Sequence, residues 1–217
     1  NKSKLYDRAL HWYQQCSSLG LTHAKLIIGR MYSEGQGVER NKEKAAEYFE
    51  SAMEVGCADG LFECAKLQIE ESQPDFKKIM IMLHQAADRG SGDAMNMIGL
   101  MHLEGLGVTV NEYKASLWFQ RGVDRGFTQA FLNLAKMNYE GYSLHDNTKK
   151  KDIEYAIDLF QRAAKKGSLV AKLYLAKILR DGEGCTKDVA QAGQLYMEVA
   201  KIEGMASTDA GLEDLRL

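Results

Sequence analysis

The side chains in this sequence that most readily do chemistry are five histidines and four cysteines. His11, His23, His84, His102 and His145 are scattered, and none has the His-x-x-x-His spacing that puts two imidazoles on one helix face for a metal. No histidine stands at a spacing that suggests a partner for Cys16, Cys57, Cys64 or Cys185. Gly35-Gln36-Gly37 and Gly105-Leu106-Gly107 begin like a dinucleotide fingerprint. They lack the third glycine, a preceding strand and a Lys-Ser/Thr, so they read as helix stops. Asp181-Gly182-Glu183-Gly184 lacks the further carboxylates of a calcium loop. Carboxylates are plentiful, yet no two stand out as an acid and base. The expectation is a chain that is not an enzyme, with no metal and no small-molecule cofactor.

What the chain offers instead is repetition, the pattern that must position any functional face. An aromatic or apolar pair recurs as Trp12-Tyr13, Tyr48-Phe49, Met82-Leu83, Trp118-Phe119, Leu159-Phe160 and Leu195-Tyr196, in steps of 36, 34, 36, 41 and 36 residues. Eight residues after the first member of each pair comes Gly20, Gly56, Gly90, Gly126 or Gly167; the sixth copy has Glu203 there, with Gly204 next to it. Small residues follow in phase: Ala24, Gly60, Ala94, Ala130 and Ala171, then Gly29, Ala65, Gly99, Ala135 and Ala176. The stretch from Ala94 to Ala130 reads as one helix–turn–helix unit. Its first helix ends at Glu104-Gly105, where glycine takes the left-handed conformation that closes a helix, and its second carries Ala115, Trp118 and Phe119. Repeats are expected at about 22–56, 58–90, 92–126, 128–167 and 169–204. Residues 1–21 form an orphan or capping second helix, and 205–217 a C-terminal cap with Leu212, Leu215 and Leu217. The second repeat has lost its turn glycines, and Pro74 is expected in the first turn of its following helix. The fourth carries five extra residues within Tyr142–Lys151, read as an exposed loop.

The run A-x-x-x-[IL]-G-x-x-Y-x-x-G-x-G-V…K-A-x-x-W-[YF]-x-x-A resembles the Sel-1-like repeat, a relative of the tetratricopeptide repeat. Ala24–Gly56 carries it through Ile28, Gly29, Tyr32, Gly35, Gly37, Val38, Lys44, Ala45, Tyr48, Phe49 and Ala52. The resemblance spans almost the whole chain. It implies an all-α fold, a right-handed α–α superhelix or solenoid of helix–turn–helix repeats. It also implies protein binding along the concave surface lined by first helices. Each repeat buries its apolar face only against its neighbours, so a single domain over 1–217 is expected.

A net charge of −2 argues against nucleic acid as a partner. No run of about 18 apolar residues exists, so no membrane insertion is expected. Cys16, Cys64 and Cys185 fall at core positions of the repeat and Cys57 in a turn, which favours reduced structural thiols over a disulfide framework. The sequence opens on Asn1 with neither an initiator Met nor an apolar leader. Such a start fits an excised fragment or a processed chain. Periplasmic or secreted placement and a cytoplasmic one both stay open.

Helical geometry, taken with the resemblance, assigns the concave stripe of each first helix. An apolar row runs through Leu26, Phe62, Asn96, Leu132 and Leu173. A mainly basic row runs through Arg30, Lys66, Leu100, Lys136 and Lys177. An acidic row runs through Glu34, Glu70, Glu104, Glu140 and Asp181. The acidic residues stand four after the basic ones, so surface ion pairs along each helix are an alternative reading. The apolar row has its own alternative, packing between neighbouring first helices. Leu26, Arg30, Phe62, Lys66, Leu100, Leu103, Leu132, Lys136, Leu173, Lys177 and Arg180 are the expected contacts to a protein or peptide partner. Two roles fit: a scaffold or adaptor, or a bacterial immunity protein that blocks a secreted toxic enzyme. The apolar end helix also leaves room for a homodimer.

Overall fold

In a computed structural model, residues 2–142 and 151–202 are described, and all their regular structure is α-helical. The expected capping helix at 205–217 and most of the inserted loop, with His145, Asp146 and Lys149, lie outside the described residues. The chain divides into two compact units, residues 1–110 and 111–217. The first holds α1 (Lys2–Ser18), α2 (Thr22–Glu34), α3 (Lys42–Glu54), α4 (Ala58–Ile69), α5 (Phe76–Asp88) and α6 (Gly92–Glu104). The second holds α7 (Glu112–Asp124), α8 (Thr128–Glu140), α9 (Ile153–Lys165), α10 (Leu169–Asp181) and α11 (Val189–Ile202).

Local chemistry sets the helix ends. Asn41, Asp75, Ser91, Asn111, Asp152 and Ser168 each precede a helix, and their side chains accept hydrogen bonds from first-turn backbone N–H groups. First helices α2, α6, α8 and α10 stop at a glycine with positive φ, Gly35, Gly105, Gly141 and Gly182. In each, the following N–H bonds back to the helix, as Gln36 N does to Met31 O at 2.9 Å, the Schellman closure. The second glycine of the turn has another task. A Cβ on Gly37, Gly107 or Gly184 would stand 2.1, 2.2 or 2.7 Å from Tyr6, Phe76 or Ile153. The start of the preceding second helix therefore rests directly on the turn backbone. The repeat lacking these glycines ends α4 at Glu70 in right-handed conformation. Pro74 there precedes Asp75, the N-cap of α5, and so lies outside the first helical turn where it was expected.

Within each unit, every helix packs on its neighbours in sequence, and in the first unit α4 also lies beside α2 and α6. The core forms where the two helices of a repeat meet. Phe49, Leu83, Phe119 and Phe160, the second members of the four inner pairs, are fully buried, whereas Tyr13 and Tyr196 of the end pairs are half-buried. A Cβ on Gly29 would lie 2.4 Å from the Phe49 ring, so glycine there lets α2 and α3 close on one another. Trp118, the first member of its pair, is only half-buried, with the Arg121 guanidinium 4.5 Å above its ring. Cys64 is buried beside Leu26 and Phe49, and burial pushes its thiol up to about 11. All four cysteines are free.

Candidate partner-binding face

The first-helix face of the first unit is built from α2, α4 and α6. Glu63, on α4, sits where α2 has Ile27 and α6 has Met97, and only 3% of its side chain is exposed. Arg30 Nε donates to its Oε1 at 2.5 Å from α2, and Lys66 Nζ to its Oε2 at 3.0 Å. A carboxylate this deep needs such partners, because desolvation penalises the anion. The Lys66 ammonium also lies 5.6 Å from the Phe62 ring centroid. Toward the helix N-termini, Ser91 Oγ donates to Asp59 Oδ1 at 3.1 Å. Burial, and then the Asp59 charge, raise the Asp93 carboxyl above its ordinary value. Toward the C-termini, Glu70 accepts from Lys42 and Arg40 at 2.9 and 2.6 Å, and the Lys42 hydrogen bond leads in lowering its pKa. Leu100 and Leu103 are half-buried on α6.

The corresponding face of the second unit is built from α8 and α10 on a different principle. Lys136 of α8 places its ammonium 5.6 Å from the ring centroid of Tyr174 on α10. Lys177 of α10 returns the contact at 5.8 Å to Tyr139 on α8, and Lys151 approaches the same ring at 5.1 Å. The two tyrosines meet edge to face, and Tyr174 stacks on the buried Phe160 with centroids 4.8 Å apart. Burial and a hydrogen bond to Glu183 push the Tyr139 hydroxyl up to about 12. Arg180 is engaged with Asp181 at 2.9 and 3.2 Å, and that hydrogen bond leads in lowering the Asp181 pKa. Among the described residues, neither Lys136 nor Lys177 has a carboxylate within ion-pair distance.

The expected apolar floor requires correction. Leu26, Phe62 and Leu132 are 1%, 8% and 5% exposed, so they serve the packing; Leu173 alone of the four apolar members is exposed, at 38%. At the next position Ile27, Met97 and Tyr174 are half-buried, whereas Glu63 and Asn133 are buried polar residues, 3% and 9% exposed. The ion pairs also differ from those along each helix. Arg30 and Lys66 converge on Glu63, and Glu70 bonds Arg40 and Lys42. Sequence reasoning missed Glu63 because a carboxylate interrupts the apolar period. It missed Tyr139 and Tyr174, whose signal is the mirrored spacing Lys136-x-x-Tyr139 and Tyr174-x-x-Lys177. Among the described residues no group of three or more His, Cys, Asp or Glu could hold a metal, and no helix is long and apolar enough to cross a membrane.

Known proteins share this architecture. Chitin synthase regulatory factor 1 of Schizosaccharomyces pombe is 29% identical over 158 residues, 70% of this chain and 34% of that protein. The chain thus spans about a third of that curated relative. A Sel1 repeat protein from Oxalobacter formigenes superposes with a TM-score of 0.74 at 24% identity, covering 89% of this chain and 78% of the other. The immunity protein Pa5087 from Pseudomonas aeruginosa does so with 0.62 at 15% identity, covering 92% and 72%. At these identities the two structures establish the fold alone. The Sel1 repeat itself matches residues 3–21, 22–56, 92–127, 130–168 and 169–196, leaving out the copy that lost its turn glycines, although α4 and α5 still form there. With most of its length matched, the chain belongs to the Sel1 repeat family.

Proposed function

We propose that this chain is a non-catalytic scaffold or adaptor that holds a partner protein or peptide against the face of its first helices. Sel1 repeats generally mediate protein–protein interaction. The observation that carries the reading is the Lys136–Tyr174 and Lys177–Tyr139 exchange, which fixes two cations on a rigid surface without neutralising them. In the first unit, Arg30, Lys66, Leu100 and Leu103 lie on the corresponding face and join the proposal, as do Leu173 and Arg180 in the second. A preorganised surface favours binding because little of its own freedom is lost on association.

The test is affinity capture with the chain as bait, repeated with Lys66, Lys136 and Lys177 all changed to Glu. The triple variant is expected to retain its helical circular-dichroism signal and to lose its partner. Equal recovery by a folded triple variant would overturn the assignment of the face.

A second reading draws on the shared fold with Pa5087, an immunity protein. On that reading a single secreted enzyme is bound tightly, with charge complementarity and fast association. One stoichiometric partner that survives high salt and loses its activity on binding would favour it; several weaker partners from one process would favour the adaptor.

A further inference from the structure

We infer that the second unit is an acid-reading surface, and that the partner segment lying on α8 and α10 is an acidic, extended stretch of protein. The inference rests on the proposed binding face and names the chemistry of its occupant. Its basis is the different fate of equivalent cations. Arg30 and Lys66 both bond the buried Glu63, whose one carboxylate offsets one of their two charges. Lys136 and Lys177 hold equivalent positions in the repeat, yet they rest on tyrosine rings, which attract an ammonium through the negative face of the ring and supply no countercharge. The ammonium hydrogens are left to accept a carboxylate from outside. Ring contact also limits the lysine rotamers beforehand, so less ordering entropy is lost when that carboxylate arrives.

The nearby acids do not cancel this surface. Glu183 accepts from the Tyr139 hydroxyl. Asp181 is hydrogen-bonded by Arg180, and Lys177 acts on it as a charge without an ion pair between them. Glu140, exposed one turn beyond Lys136, acts on Tyr174 as a charge and bounds the basic patch on that side. Lys151 adds a third cation over Tyr139 from the segment just before α9 of the same repeat. In an extended polyproline II segment, Asp or Glu residues three positions apart share one face about 9 Å apart, so a carboxylate at every third position presents one acidic row to this surface.

The probe is a fluorescein-labelled twelve-residue peptide with Glu at every third position, compared with its Gln counterpart and with a single-stranded oligonucleotide of similar charge. Binding to the full chain is read by fluorescence anisotropy at low and physiological salt. The Glu peptide is expected to bind saturably and the Gln peptide not. Changing Lys136 and Lys177 to Gln should weaken binding about tenfold, whereas Lys165→Gln, at an exposed lysine on the second helix α9, should leave it within about twofold. Added salt should weaken binding as it screens the exposed charges. Equal affinity for the Gln peptide, tighter binding of the oligonucleotide, or an equal loss with Lys165→Gln would overturn the inference. A captured partner lost by the triple Glu variant but retained by Lys136→Gln with Lys177→Gln would remove the acid-reading claim and leave the binding face standing.

Discussion

The first-helix faces of the two units share one template and one basic row, but they put that row to different uses. In the first unit two cations close on Glu63, a carboxylate with 3% of its side chain exposed, which offsets one of their charges. In the second the cations lie across Tyr139 and Tyr174, and the charge faces outward. What separates them is the residue one turn before the cation, at the Ile27 position of the repeat: Glu63 on α4, Asn133 on α8, Tyr174 on α10. A lysine's availability is thus set by its neighbour across the face and not by its place in the repeat.

The largest effect should come from removing the support under the second face. Phe160 is fully buried and stacks on Tyr174, so Phe160→Ala should cost about 3–5 kcal/mol, read from urea unfolding. A loss below about 1 kcal/mol would mean the aromatic stack is not a structural platform. Next comes the buried ion set of the first face. Arg30→Met leaves Glu63 with Lys66 alone and should cost about 2 kcal/mol, less than a fully buried break because Arg30 is itself 38% exposed. Glu63→Met, which supplies the residue type of Met97, should stay within about 1 kcal/mol of the parent. Equal losses for the two variants would erase the asymmetry between them. On the second face, Lys177→Gln should cost less than about 1 kcal/mol in stability, its main consequence being in binding.

Thiol chemistry gives a finer comparison. Burial raises the Cys64 thiol in the first unit to about 11, whereas Cys185 in the second is only half-buried. At pH 8, iodoacetamide should therefore label Cys185 before Cys64, and Cys64 labelling should accelerate as pH rises toward its pKa. The smallest effect concerns Asp93. Its folded-state pKa is raised, so its contribution favours folding at low pH and is lost as pH climbs through that value. Asp93→Asn should flatten this decline by a few tenths of a kcal/mol, about the size expected of a surface site. A steeper decline in the variant would reverse the sign of the argument.

The helical hairpins were legible because a repeat writes the same constraint many times. A positive-φ glycine at Gly35, Gly105, Gly141 and Gly182 closes four first helices, and a buried Phe49, Phe119 or Phe160 recurs at one register. The close approach of Tyr6, Phe76 and Ile153 to the second turn glycine was not legible, since it depends on an element distant in sequence. Leu26, Phe62 and Leu132, expected to line an apolar floor, pack inward instead. Leucine at position 26 and isoleucine at 27 look equally apolar in the sequence, and only packing decides which turns inward. Glu63 and the lysine–tyrosine exchange depend on neighbouring helices meeting side by side, so no single helix carries their signature.

The most direct measurement is lysine acetylation footprinting of the chain, alone and with its affinity-captured partner, read by mass spectrometry. The account predicts that the partner protects Lys136 and Lys177, while Lys44 and Lys165 on second helices keep their reactivity. Protection of the second-helix lysines, with Lys136 and Lys177 still reactive, would contradict the claim that partners are held on the first-helix face.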